Sequence, residues 1–238
     1  MYKIAIISDI HGNDIALREV LNNINGKVDE IICLGDMIGI GPNGNNVLKI
    51  VTQLDNFHTV LGNHERYYLY GLDNPLSCIR IEHQMWVKKE ISDEYYDYIK
   101  NIPLEIKRNY LGYNILFTHY ARPSEKSMRF EVIERDVNYP NLVNIFKNHD
   151  FDYVFYGHEH LKSVVEKEGG KHFINPGSLG CPHPDKNKAR YGIISIDKEI
   201  KYQEYEIIYD PKPLIIDMEK KEMPDRSFIA KAFFHEEI

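Results

Sequence analysis

Short apolar runs that stop abruptly at a polar residue recur along this 238-residue chain. Ile4 to Ile7 is rich in isoleucine and ends at Ser8-Asp9, which reads as a buried strand. Asn13 and Asp14 then offer a helix N-cap. Leu17, Val20, Leu21 and Ile24 follow at spacings of three and four, the face of an amphipathic helix that Gly26 closes. Ile31 to Leu34 repeats the strand pattern up to Gly35-Asp36, and Gly39, Gly41, Pro42 and Gly44 make a loop. The spacing of Val47, Leu48, Val51 and Leu54 predicts a second helix, and Phe57 to Leu61 a third strand ending at Gly62-Asn63. Twenty-seven residues separate Asp9 from Asp36, and Asp36 from Asn63. That is about the length of one strand-helix-strand unit. Parallel strands joined by right-handed crossovers share one carboxyl edge, so these three polar residues are expected to converge.

From Tyr67 to Lys107 the character changes. Ile79, His83, Trp86, Val87 and Ile91 lie at helical spacing, and Ser92 is placed to cap a further helix carrying Tyr95, Tyr96 and Ile99. Residues 67–107 therefore read as a helical insertion that Pro103 terminates. The second half is strand-rich. Tyr113 to Phe117 runs into Thr118-His119, and Tyr153 to Tyr156 into Gly157-His158. Val164 to Glu166, His172 to Ile174, Tyr191 to Ile196 and Tyr202 to Ile208 read as further strands. A last helix is predicted after Asp225, with Phe228, Ile229, Ala232 and Phe233 on one face. The whole is expected to be one α/β domain, residues 1–238.

A formal net charge of −7 gives no general reason to hold a nucleic-acid backbone,. The most basic stretches, Lys186 to Arg190 and Lys100 to Arg108, read as solvated loop charge. Cys33, Cys78 and Cys181 are widely spaced with no Cys-x-x-Cys pair, so neither disulfides nor a zinc motif is expected and a cytoplasmic location fits. The apolar run after Met1 is too short for a signal peptide, and no stretch is long enough to span a bilayer. Nothing in the pattern sets an oligomeric state.

The polar residues after the strands form an ordered set: Asp9-Ile10-His11, Gly35-Asp36, Gly62-Asn63-His64-Glu65, Thr118-His119 and Gly157-His158-Glu159-His160. They offer the carboxylate, amide and imidazole donors that a pair of divalent ions requires. Mixed oxygen and imidazole donors favour transition ions over magnesium, with Mn2+ expected and Fe, Zn or Ni as alternatives. Alone, each fragment is an ordinary turn or strand cap. Their order resembles the calcineurin-like metallophosphoesterase superfamily, whose signature is DxH, GDxx, GNH[D/E], a lone His and GHxH. Ser8 to Asn13, the Gly-Asp-x-x-Gly-x-Gly-Pro at 35–42 and Asn175-Pro176-Gly177-Ser178 are similar to its small prokaryotic phosphoesterases.

That resemblance implies two mixed β-sheets packed as a sandwich flanked by helices. It implies one metal held by Asp9, His11, Asp36 and His160, and a second by Asp36, Asn63, His119 and His158, with Asp36 shared. A bridging hydroxide would attack phosphorus, and His64 would protonate the leaving oxygen. The phosphoprotein phosphatase branch shows GDxxDRG and RGNHE. Here Gly39, Ile40 and Leu61 stand where its aspartate and two arginines would be. Phosphate grip then falls to Asn13, Arg66 or Arg122. Glu159 replaces a common threonine, and Asn175 to Ser178 is a turn near the metals.

The expected function is hydrolysis of a small phosphorylated substrate, a phosphodiester or a nucleotide polyphosphate such as a dinucleoside polyphosphate. The alternatives are a serine/threonine protein phosphatase and a catalytically silent scaffold. Nucleic acid and membrane are not expected partners. His58, His83, His149, His172, His183 and His235 match no motif and are assigned to surface or packing, with His83 the one that could face substrate. Trp86, Tyr95 and Tyr96 are assigned to packing.

Overall fold

The computed structural model describes residues 1–72, 81–181 and 187–237. Ile79, Lys186, Cys78 and His183, all singled out above, lie outside the described residues. The first sheet contains β1 (Tyr2–Ile7), β2 (Glu30–Cys33), β3 (Phe57–Thr59), β9 (Lys188–Ile196) and β10 (Ile200–Ile208), in the order β10-β9-β1-β2-β3. The second contains β4 (Glu105–Tyr110), β5 (Tyr113–Thr118), β6 (Tyr153–Phe155), β7 (Ser163–Glu166) and β8 (His172–Asn175), in the order β4-β5-β6-β8-β7. Both sheets are mixed. β1, β2 and β3 run parallel, as do β5, β6 and β8, while β9, β10, β4 and β7 pair antiparallel.

Period-two alternation sorts the apolar strand residues between layers. Ile4 and Ile6 of β1 join Ile32, Ile115, Phe117 and Phe155 in the core between the sheets. Ala5 and Ile7 face the other way, onto Leu17, Val20 and Ile24 of α1 (Asp14–Ile24) and Val47 and Leu48 of α2 (Gly44–Val51). Burial on both faces explains why β1 reads as an unbroken apolar run. Beyond the second sheet, Leu116, Val154 and Phe173 pack on Leu142 of α6 (Tyr139–Ile145) and on Phe146.

Registers bring the two carboxyl edges together. Ile7 is level with Cys33 and Cys33 with Thr59, so the chain leaves β1, β2 and β3 at one edge. Phe117, Phe155 and Ile174 are level in the second sheet. The expected helix cap is present: Asn13 Oδ1 accepts the amide hydrogen of Ala16 at 3.0 Å,.

Several expectations need correction. The helical segment starts earlier than 67, with α3 (Asn63–Tyr70) beginning at Asn63 itself, and continues through α4 (Ile81–Glu90), a 3-10 turn at Asp93–Tyr95 and α5 (Tyr96–Lys100). Its end is also earlier, because Glu105 to Lys107 already belong to β4, where Ile106 fills the inter-sheet core. α6 and α7 (Lys212–Lys220) were not foreseen; both are short and carry Pro in their first turn. After Asp225, α8 (Arg226–Ile229) passes into a π turn at Ala230–Phe234. That wider turn shifts the buried face to Ile229, Ala230 and Phe234, leaving Phe228 58% exposed. The basic stretches are not plain solvated loops. Lys188 and Arg190 sit in β9 against Glu206, and Lys107 and Arg108 in β4 pair with Glu105 and Glu30. Among the described residues no helix is long and apolar enough to cross a membrane.

Candidate metal centre

Each sheet delivers its polar residues immediately beyond a strand end. Asp9 and His11 follow β1, Asp36 follows β2, and Asn63 opens α3 after β3. His119 follows β5, and His158 and His160 follow β6. All seven side chains lie within two adjoining groups. In the first, His11 Nε2 is 2.9 Å from His160 Nε2, 3.8 Å from Asp9 Oδ1 and 3.7 Å from Asp36 Oδ2, and His160 Nε2 is 3.7 Å from Asp9 Oδ1. In the second, His119 Nε2 is 2.8 Å from Asn63 Oδ1, 3.1 Å from His158 Nδ1 and 3.4 Å from Asp36 Oδ2. Asp36 Oδ2 therefore faces both groups.

The donor set fits divalent ions. Ligand atoms about 2.0–2.2 Å from one ion lie roughly 3 to 3.6 Å from one another, close to the separations found here. The facing nitrogens of His11 and His160 need either a shared proton or a cation, and the burial of both rings opposes a charged imidazolium,. Burial likewise pushes His158 down to about 3, with the neighbouring His119 adding to the effect. These three imidazoles are held neutral, the form that ligates a metal. His119 differs. Burial would lower it, but the charge and hydrogen bond of Asp36 and the charge of Asp9 outweigh that and lift it to about 9. Its Nδ1 contacts the Leu34 carbonyl at 2.8 Å, so Nδ1–H donates there and Nε2 is aimed at the centre,. Burial raises Asp36 too, yet His119 and His64 hold its carboxyl well below the usual range.

The backbone is strained where the candidate ligands sit. Asp9, His11, Asp36, His158 and His160 all have φ between 49° and 75°. Left-handed conformations in non-glycine residues are uncommon and persist only when the surroundings enforce them. Two devices do so. Glu65, fully buried, accepts the amide hydrogens of Asp36, Met37, Ile38 and Gly62 at 2.7 to 3.1 Å, clamping the Asp36 loop to the start of α3. Burial and the charge of Asp36 push Glu65 up to about 7 despite those four bonds. The second device is Asn175-Pro176-Gly177-Ser178. Asn175 Nδ2 donates to the Gly157 carbonyl, Ser178 N to that of His160, and Ser178 Oγ to that of Asp9. The turn thus ties the Asp9 loop to the His158–His160 loop. Close approach also demands glycine at 62, where a Cβ would fall 2.1 Å from Asp36 Oδ1,.

His64 lies beside the first group, its ring edge-on to that of His11 at 4.8 Å, and its own amide hydrogen bonds Asp36 Oδ1 at 2.8 Å. His64 Nδ1 has no hydrogen-bond partner and faces Gly39, where even a Cβ would lie 2.1 Å away. Burial lowers its pKa.

Two of the three phosphate-gripping candidates are committed elsewhere. Asn13 uses its amide on the Gly180 carbonyl, the Tyr209 hydroxyl and the α1 cap. Arg122 is 1% exposed and bonds Glu105 and the carbonyls of Glu125 and Ser127. Arg66 is buried one helical turn after Asn63 and has contacts of its own within the protein. Glu159 turns from the centre to accept from Tyr120 Oη. His83, buried on Trp86 and near the Pro224 carbonyl, is a packing residue. Sequence reasoning missed the clamp formed by Glu65 and the position of Cys181, a ligand-type atom of which lies within 4.8 Å of ring nitrogens of His11 and His160. Glu65 was visible as the fourth residue of Gly-Asn-His-Glu; Cys181, three residues after Ser178, carried no motif signal.

Residues 2–199 match the model of the calcineurin-like phosphoesterase superfamily domain. An uncharacterized protein of Methanocaldococcus jannaschii, MJ0912, is 33% identical over 242 residues, covering 93% of this chain and 94% of that one. A metallophosphoesterase from Sphaerobacter thermophilus shares the fold with a TM-score of 0.77 at 23% identity over 98% of both chains. The hypothetical protein PH1004 from Pyrococcus horikoshii does so with 0.76 at 17% identity over the full length of both. With the domain match spanning nearly the whole chain and its motifs meeting at the joint edge of two sheets, this chain belongs to the calcineurin-like phosphoesterase superfamily, a family of metal-dependent phosphoesterases.

Proposed function

We propose that this protein is a dinuclear metal-dependent phosphoesterase that hydrolyses a phosphodiester or a nucleotide polyphosphate. The observation that carries the reading is Asp36 Oδ2, 3.7 Å from His11 Nε2 and 3.4 Å from His119 Nε2, so that one oxygen serves both donor groups. Asp9, His11 and His160 would complete one site, and Asn63, His119 and His158 the other. When bound, the ions supply Lewis acidity toward phosphoryl oxygens and make water more acidic. His64 gives Nδ1 to the Gly39 side, which leaves Nε2 to hold a proton for the departing oxygen,.

The preference for a small substrate rests on what replaces the phosphoprotein phosphatase arginines. Ile40 and Leu61 are 3% and 1% exposed and pack in apolar clusters. Asn13 and Arg122 are engaged elsewhere in the protein. An archaeal phosphodiesterase and a putative diadenosine tetraphosphatase share the fold with TM-scores of 0.52 and 0.54 at 21% and 17% identity, which supports the architecture rather than the substrate.

The test is a screen of the Mn2+-loaded protein against phosphomonoesters, cyclic nucleotides, dinucleoside polyphosphates and phosphopeptides, with metal content measured in parallel. Two ions per chain and turnover of a phosphodiester or dinucleoside polyphosphate are expected. Phosphopeptide turnover far above these would replace the substrate reading by that of a protein phosphatase. Fewer than two ions with no hydrolysis would return the scaffold reading. Activity surviving Asp36→Asn would refute the shared-ligand role.

A further inference from the structure

The described cysteines have opposite surroundings. Cys33 lies in β2 with its thiol 3.7 Å from the Gly35 carbonyl, inside the apolar layer under α1 and α2. Cys181 is equally buried, but its sulfur and a ring nitrogen from each of His11 and His160 lie within 4.8 Å of one another. Those two imidazoles already face each other at 2.9 Å. Cys181 also belongs to the buried apolar cluster that contains Ile40, Leu214, Met218 and Phe234. The thiol thus borders both an apolar cluster and the first donor group.

Its backbone is fixed by the same hydroxyl that fixes a ligand. Ser178 Oγ accepts the Cys181 amide hydrogen at 2.8 Å and donates to the Asp9 carbonyl at 2.8 Å. Gly180 presses so closely on the Asp9–His11 loop that a Cβ there would fall 1.8 Å from the Ile10 carbonyl oxygen. Segment 178–181 is therefore packed and hydrogen-bonded against the Asp9–His11 loop, which holds the sulfur beside His11.

We propose that Cys181 is a thiolate ligand of the ion held by Asp9, His11, Asp36 and His160. This rests on the metal-centre reading above and adds a donor that none of the motifs contains. On binding, the Sγ–H bond breaks, the proton passes to buffer, and a sulfur lone pair forms the bond to the ion. A soft donor among two imidazoles and two carboxylates biases this position toward Zn2+ or Fe2+ and away from Mn2+.

X-ray absorption on the Zn2+-loaded wild-type protein tests it without any variant. One zinc–sulfur distance at about 2.3 Å for every two zinc ions is expected. Two bound zinc ions with only nitrogen and oxygen neighbours would overturn the proposal and leave the metallophosphoesterase reading intact, whereas failure to bind zinc would overturn both. In the Co2+-loaded protein, thiolate-to-cobalt absorption in the near ultraviolet should be present in wild type and lost in Cys181→Ser, which retains Cys33 and Cys78. Persistence of the band in that variant would assign it to another thiol and overturn the proposal. In the same variant Zn2+ should bind on the order of tenfold or more weakly at one of its two sites.

Discussion

The first sheet contributes every oxygen donor of the centre, Asp9, Asp36 and Asn63, together with His11; the second contributes imidazoles alone, His119, His158 and His160. Their supports differ in kind. The oxygen side is held by a buried carboxylate, Glu65, four of whose bonds are to backbone amides, and that carboxylate sits close enough to Asp36 for their charges to oppose. The imidazole side is held by neutral ties, from Asn175 Nδ2 to the Gly157 carbonyl and from the Ser178 amide to that of His160. Without cations the first half gathers negative charge in a buried place, whereas the second is already neutral apart from His119. Bound cations would therefore do different work on the two sides: they would relieve repulsion on one and fill lone pairs on the other.

The largest expected effect is on the clamp. Glu65→Ala strands four buried amide hydrogens, and at about 1 kcal/mol or more for each the loss should reach about 4 kcal/mol in urea denaturation. A loss no greater than that of a single ordinary hydrogen bond would break the contrast between the halves. Next comes His64→Ala, which should lower turnover by about 10²- to 10⁴-fold while two ions per chain remain on elemental analysis. Loss of metal together with activity would make His64 part of the donor set.

On the neutral side, Asn175→Ala removes the donor to the Gly157 carbonyl and the acceptor for the Gly177 amide, and a smaller cost of about 1–2 kcal/mol is expected in the same denaturation series,. The smallest effect is protonic. His119 is lifted from about 6.5 in the unfolded chain to about 9, so its contribution to the metal-free fold is full below about pH 6.5 and lost as pH rises through 9,. Metal must displace that proton. Calorimetry at pH 7 in buffers of different ionisation enthalpy, run on Cys181→Ser so that no thiol proton contributes, should show close to one proton released from His119, with the release fading above pH 9,. Absence of any pH dependence between 7 and 9 would mean that Asp36 does not govern His119.

The oxygen side was the more legible half in sequence. Asp9, Asp36 and Asn63 recur at the length of one strand-helix-strand unit, and local periodicity placed each at a strand end. His119 and His158 followed the same rule in the second sheet. What stayed hidden depends on contacts between distant segments. Arg122 looked available for phosphate because its partner Glu105 is 17 residues away on another strand, and Asn13 because the hydroxyl of Tyr209 meets it from near the other end of the chain. The position of Cys181 against His11 arises from a loop of the second half pressing on one of the first, which no periodicity records. The π turn at Ala230–Phe234 defeated a 3.6-residue spacing for a related reason: its buried face follows five-residue geometry,.

The left-handed backbone at Asp9, His11, Asp36, His158 and His160 sets stability and function against each other. Glycine adopts such conformations at no steric cost, so replacing His158 or His160 with glycine relieves backbone strain at the same stroke that removes a proposed ligand. In a selection for thermal resistance alone, without demand for hydrolysis, these positions are where the chain would drift first, and the metal centre would be lost by sequences that fold better than this one.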